Sequence, residues 1–269
     1  MPQPLTRANA VTQILGELQR MEARRGCGDT LGDRRLQRSL ASLDQSSESE
    51  VARRAIQAQW DRDFPAFDAA AEMLLDMDDL SEPGTTYVNF ALMCHYALNA
   101  DLCARLNRRA LQFNRSDQVF VETVARNAWH AGDIKISDQA TARLGKLNAE
   151  SYEELRDLIQ ESSELLVLHG VTHDAFQQYV QCLFELIRGF VANKTDVRLV
   201  SGVDIEDYED GHQELLVMFD LDLDDDTLDA IDEALLELRS DADRVNPALN
   251  KCVGVLVRDY PQSLDAEAC

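Results

Sequence analysis

Between residues 50 and 192 every stretch of the chain carries one periodicity. Apolar residues recur three and four positions apart, the spacing that gathers them into a single stripe of an α-helix, and only helical patterns are found. Eight helices are expected there, over 50–61, 63–78, 85–98, 101–114, 117–131, 134–148, 151–168 and 173–192. The stretches between them are only a few residues long. Such connections bring consecutive helices back antiparallel, so the region should fold as an array of helical hairpins.

The flanks read differently. Upstream, Thr6 can cap a helix with apolar positions Val11, Ile14, Leu15, Leu18 and Met21, ended by Gly26-Cys27-Gly28. A second short helix carries Leu31, Leu36 and Leu40, and the polar run from Asp44 to Glu50 reads as a linker or exposed turn. Beyond Asn193, Val197, Leu199, Val203 and Ile205 suggest a strand, Asp210-Gly211 a hairpin turn, and Leu215 to Leu221 a second strand. That second strand is apolar on both faces, with Leu216 and Met218 opposite Leu215, Val217, Phe219 and Leu221, which places it inside a sheet. Asp226 is expected to cap a helix with core positions Leu228, Ile231, Leu235 and Leu238, and Cys252 to Val257 to form a third strand ending near Pro261. The expected class is α+β, mostly α: an antiparallel helical-hairpin array followed by a small strand-strand-helix-strand unit. It divides into N-terminal helices (1–44), a hairpin domain (50–193) and an α+β unit (194–269).

A weak repeat runs through the array. Three hairpin junctions share an acidic residue followed by an apolar one: Arg62-Asp63-Phe64, Ala100-Asp101-Leu102 and Gly132-Asp133-Ile134, spaced by 38 and then 32 residues. A small-residue helix face precedes each (Ala55/Ala58, Leu92/Tyr96, Ala125/Ala128), and an amphipathic helix follows. Over about 50–148 this resembles the tetratricopeptide-type helical-hairpin repeat, whose period is near 34 residues and whose junction often reads Gly-Asp before an apolar residue. Only Gly132 supplies the junction glycine, Pro is missing from the repeat ends, and Leu92 and Tyr96 alone stand for the consensus first-helix pattern. The resemblance implies a groove lined by first-helix positions, here Tyr87, Phe90, Ala97 and Leu98, with Asn127 added by the next hairpin. A plain irregular helical bundle accounts for the same pattern.

Charge is distributed as a gradient. The formal net charge of −23 falls unevenly: residues 1–62 hold 10 basic and 8 acidic residues, 63–193 hold 10 and 20, and 194–269 hold 6 and 21. A chain so acidic is a poor ligand for a nucleic-acid backbone or an anionic membrane, both of which need clustered positive charge. Arg24-Arg25, Arg34-Arg35 with Arg38, and Arg53-Arg54 cluster in the first part. They could dock on the acidic end, within one chain or between copies of a homo-oligomer; solvated faces kept soluble by like charge are the bland alternative.

Motifs for chemistry are sparse. The run Asp220 to Asp226 fails as a calcium loop, because the sixth position holds Asp225 rather than Gly and the twelfth Ile231 rather than Glu. His169 and His173 flank a turn without third and fourth ligands at a metal spacing, and Cys94-His95 point about 100° apart on a helix. No phosphate loop, dinucleotide fingerprint, nucleophile elbow or zinc-protease motif occurs. Catalytic residues, metal and cofactor are therefore expected to be none. Six scattered cysteines without a CxxC pair fit reduced thiols and a cytoplasmic location, and the N-terminus shows no apolar signal region.

These readings make a protein-interaction scaffold or adaptor the leading expectation, not an enzyme. It would bind a partner protein through the helical domain and an acidic surface including Asp220, Asp222, Asp224 and Asp225. Three other readings stay open: an acidic decoy that mimics nucleic acid, a secretion or assembly chaperone, and an enzyme with a degenerate site.

Overall fold

The structure, a computed structural model, describes residues 7–260 except 23, 24, 26–29, 114, 115, 148 and 210. Thr6, the Gly26-Cys27-Gly28 stop, Asp210 and Pro261 lie outside the described residues, as does the side chain of Leu31. The helices are α1 (Arg7–Glu22), α2 (Thr30–Ser42), α3 (Ser47–Asp61), α4 (Phe64–Leu75), α5 (Pro83–Tyr96), α6 (Ala100–Ala110), α7 (Gln118–His130), α8 (Ile134–Lys146), α9 (Tyr152–Leu168) and α10 (His173–Val191). Strands β1 (Leu199–Asp207) and β2 (Gln213–Leu221) follow, then α11 (Asp225–Ser240), a 3₁₀ turn (Pro247–Lys251) and β3 (Val253–Asp259). The class is α+β and mostly α, with helices packed in adjacent pairs.

One residue at each hairpin junction does two jobs. Asp63, Asn99 and Asp133 return their N–H groups to carbonyls five residues back, Ala58 at 2.9 Å, Cys94 at 2.8 Å and Ala128 at 2.8 Å. Each then caps the next helix, its side chain accepting from Ala66, Leu102 or Ile136 at 3.1, 3.0 and 3.1 Å. The residue before each cap turns the chain through the left-handed region: Arg62 at φ 53°, Leu98 at φ 54° and Gly132 at φ 74°. This corrects the register read from sequence. The equivalent of Asp63 and Asp133 is Asn99, not Asp101, which sits in the first turn of α6. The true spacings are 36 and 34 residues.

With that register the small faces line up. Ala55, Ala91 and Ala125 are equivalent, as are Ala58, Cys94 and Ala128, and all six are buried. The expected face Leu92/Tyr96 is wrong: both residues are only half-buried, and Cys94 fills the place of an alanine. Small side chains let the first helices of α3/α4, α5/α6 and α7/α8 approach their partners closely.

The run 44–50 is an exposed bend at Asp44 and Gln45 that leads directly into α3. Ser46 caps α3 by accepting from Ser49 N–H at 3.2 Å, and Ser47 to Glu50 form its first turn. Glu48 is buried and accepts from Ser81 and Thr86, at 2.8 Å from one hydroxyl and 2.7 Å from the other, tying α3 to the start of α5.

Other elements of the chain lie against the first helices. Helix α1 packs on α3 and α5, and β1 on α7. Helix α10 crosses α6 and α8, and its Arg188 grips Asp68 with two bonds of 2.8 Å while donating to the Ala97 carbonyl at 2.7 Å. One apolar cluster runs from Leu18 through Phe90 and Phe184 to Phe219 and Leu235.

In the sheet, β2 is central as expected: antiparallel to β1 and parallel to β3. Its Leu215, Val217, Phe219 and Leu221 are fully buried, and Phe219 meets Phe184 of α10 edge-on at 6.0 Å. Asp224, rather than Asp226, caps α11, accepting from Thr227 N–H at 2.8 Å.

Candidate protein-docking site

At the N-terminal end of the array, α2, α3 and α4 enclose a cleft of about 650 Å³. Its floor is the α3 face bearing Gln57 and Ala58, and one wall is the α4 stripe Ala66, Ala69, Ala70 and Met73. The other wall is α2, joined to the floor by Gln37 donating to Gln57 at 2.7 Å. Helix α4 is apolar on nearly all sides. Phe67, Ala71 and Leu74 bury one face against the array, while Met73, 47% exposed, lies open to solvent on the other. A helix apolar all round ordinarily has neighbours on both sides. Here the second side has none of the array's hairpins.

Charge is graded along this cleft. Arg53 and Arg54 stand toward one end and both bond Glu50, whose carboxyl is held below its usual range chiefly by the Arg54 hydrogen bond. Asp61 and Asp63 stand at the other end, where Asp61 accepts from Gln57 at 2.8 Å and Asp63 caps α4.

The residues expected to line a first-helix groove are placed elsewhere. Tyr87, Phe90, Ala97, Leu98 and Asn127 are all buried, at 6% exposure or less. Elements α1 and β1 occupy the side they would present: Asn89 donates to Thr12 of α1 at 2.9 Å, and Trp129 donates to the Val203 carbonyl at 3.1 Å. The four acidic residues have internal duties. Asp220 pairs with Arg258 at 2.6 Å, Asp222 with Arg198 at 2.9 Å, Asp224 caps α11, and Asp225 lies in that helix's first turn. Arg25 and Arg62 reach the C-terminal unit through its backbone. Arg25 donates to the Thr195 carbonyl at 2.6 Å and lies 4.0 Å over Trp60, while Arg62 bonds the Val197 carbonyl. Burial draws the Arg62 guanidinium down to about 10.

Several cysteines and histidines lie inside the fold among the described residues. The Cys94 and Cys103 thiols are fully buried and pushed upward by desolvation, the opposite of an activated thiolate. His95 and His130 face each other with ring centres 5.6 Å apart where α5 and α7 meet β1. Burial lowers both, His95 to about 3. Between α8 and α9 a polar cleft of about 500 Å³ holds Ser163 bonded to His173 at 2.9 Å. No carboxylate bonds the second His173 nitrogen among the described residues, so the pair lacks the group that orients a base. Among the described residues, no three His, Cys, Asp or Glu gather into a metal-sized cluster, and no helix is long and apolar enough to cross a membrane.

Comparison with protein-family models, curated proteins and solved structures finds no match. The functional reading therefore stands on the geometry of the chain itself.

Sequence reasoning passed over the α4 wall. The signal was present in Phe64-Pro-Ala-Phe-Asp-Ala-Ala-Ala-Glu-Met-Leu-Leu75, where a second apolar stripe flanks the expected core stripe.

Proposed function

We propose that this protein is a non-enzymatic interaction scaffold: a tetratricopeptide-like array whose docking surface is the open N-terminal end of the stack. The observation that carries this reading is the outer face of α4, where Ala66, Ala69 and Met73 are left exposed among the described residues. Terminal repeats that face only water carry a polar outer side. Small apolar side chains with one large exposed thioether are instead the composition of a surface that another chain covers. The same reading places the first-helix side in a structural role, because α1 and β1 fill it. The acidic C-terminal unit then serves solubility and repulsion of wrong partners rather than a specific contact.

Site-specific photocrosslinking tests the proposal. A benzophenone amino acid at position 73 should give discrete adducts in cells, and the same probe at Leu236, exposed on α11, should not. Identical adduct patterns at the two positions, or none at 73, would overturn it.

A further inference from the structure

We propose that the α2–α3–α4 cleft seats an acidic amphipathic helix of a partner protein, with its apolar stripe on α4 and its carboxylates along α2. This rests on the scaffold reading and specifies the partner's chemistry. The α4 wall is built from alanines on a helical stripe, so a second helix can approach to ordinary interaxial distance and insert larger side chains between Ala66, Ala70 and Met73. The α2 wall selects charge. Gln37 and Ala41 line the cleft, and Arg34 and Arg38 precede them by three residues on the same helix face, both exposed. Arg34 and Arg38 belong to the one part of the chain, residues 1–62, where basic residues outnumber acidic ones, and this rim disfavours a basic occupant. Polarity follows from the ends. Asp61 and Asp63 favour the positive N-terminal end of a docked helix, and Arg53 and Arg54 its C-terminal end. The occupant thus runs antiparallel to α3. The chain's own α11 is a poor candidate from a second copy, because Ile231, Leu235 and Leu238 of its apolar stripe are already buried.

The test uses the full chain and two synthetic peptides of about 16 residues, roughly four turns, with Leu on one face and Glu on one flank, or Lys in place of each Glu. Fluorescence anisotropy should show saturable binding of the Glu peptide, at least about tenfold tighter than the Lys peptide. The double substitution Arg34→Glu/Arg38→Glu should weaken it about tenfold or more, and Ala69→Glu should abolish it. All these positions are exposed, and unchanged thermal melting will show that the variants fold. Non-saturable binding, equal binding of both peptides, or indifference to Ala69→Glu would overturn the proposal. A concentration-dependent dimer that the same substitutions dissolve would reassign the cleft to a second copy. Failure of the peptides while position 73 still crosslinks would leave the scaffold reading standing and remove the helical partner.

Discussion

The indole N–H of Trp129 donates to the backbone carbonyl of Val203 at 3.1 Å, and the neighbouring His130 accepts from the N–H of the same residue at 3.4 Å. Val203 lies on β1, an edge strand that among the described residues pairs only with β2, so its outward backbone groups take their partners from the array. Two consecutive side chains at the end of α7 thus close a sheet edge and fasten the hairpin array to the sheet. An unpaired edge is a template for association, and the side chains of the array blunt it.

Trp129→Phe keeps an aromatic ring in the pocket, removes the donor, and gives up part of the packing because phenyl is smaller than indole. The buried Val203 carbonyl then lacks its partner, and the expected loss is about 1–2 kcal/mol in urea unfolding. A change of a few tenths would mean that the indole bond adds nothing beyond packing.

Arg25 makes a larger contribution because its side chain is fully buried. It donates to Thr195 O at 2.6 Å and Trp60 O at 2.8 Å, bonds Glu22, and lies 4.0 Å from the Trp60 ring centre. Arg25→Met retains bulk but strands two carbonyls and leaves Glu22 with Arg62 at 3.9 Å. Breaking a buried pair from one side costs about 3–5 kcal/mol. Hydrogen exchange should show the loss first in α1 and the segment before β1. Uniform protection with unchanged unfolding would contradict the anchoring role.

Acid should weaken the fold through the histidine seam. His95 is drawn from 6.5 to about 3 by desolvation, with the neighbouring His130 adding to the effect, and His130 is itself lowered by burial. A base with a lowered folded value binds its proton more readily when unfolded. Its stabilisation is fully present above pH 6.5 and declines as pH falls toward the folded value, by up to about 1.4 kcal/mol per pH unit for each histidine. Asp133, raised by burial, acts in the opposite sense, holding its proton more tightly when folded. Urea midpoints measured from pH 7.5 to 5 should therefore fall, and His95→Gln should flatten the slope. An unchanged slope in that variant would exclude His95 as the source.

How much of this was legible depends on where the information lies. The helices over 50–192 were legible because their stripes are local, and β2 was legible because both its faces are apolar. Junction register was not. Asp101 mimics Asp63 and Asp133 in type, but capping is decided by the backbone turn, and Asn99 follows a left-handed Leu98 that no residue preference would suggest. Glu48 looked like solvent-facing linker because its partners, Ser81 and Thr86, lie 33 and 38 residues away. The burial of the expected groove residues escaped the sequence for a related reason. Periodicity shows which side of a helix is apolar, but not whether another chain or the same chain covers it. Tyr87 and Phe90 are covered from within, whereas Met73 is not.

Gly132 separates two kinds of constraint at one junction. Its φ of 74° lies where a Cβ is disfavoured, and a Cβ built there would stand 2.8 Å from Val180 Cγ2 of α10. Arg62 and Leu98 hold the left-handed conformation with side chains, so backbone strain alone does not demand glycine. The close approach of α10 does. Gly132→Ala should cost about 1–2 kcal/mol for the backbone and a further amount for the clash. Val180→Ala removes the clashing methyl groups at a cost of about 0.8 kcal/mol per buried carbon. If the clash matters, the double variant should be more stable than the sum of the single losses predicts, by about 0.5 kcal/mol or more in a double-mutant cycle. Strict additivity would show that α10 yields without penalty, leaving conformation as the whole reason for glycine at the third junction.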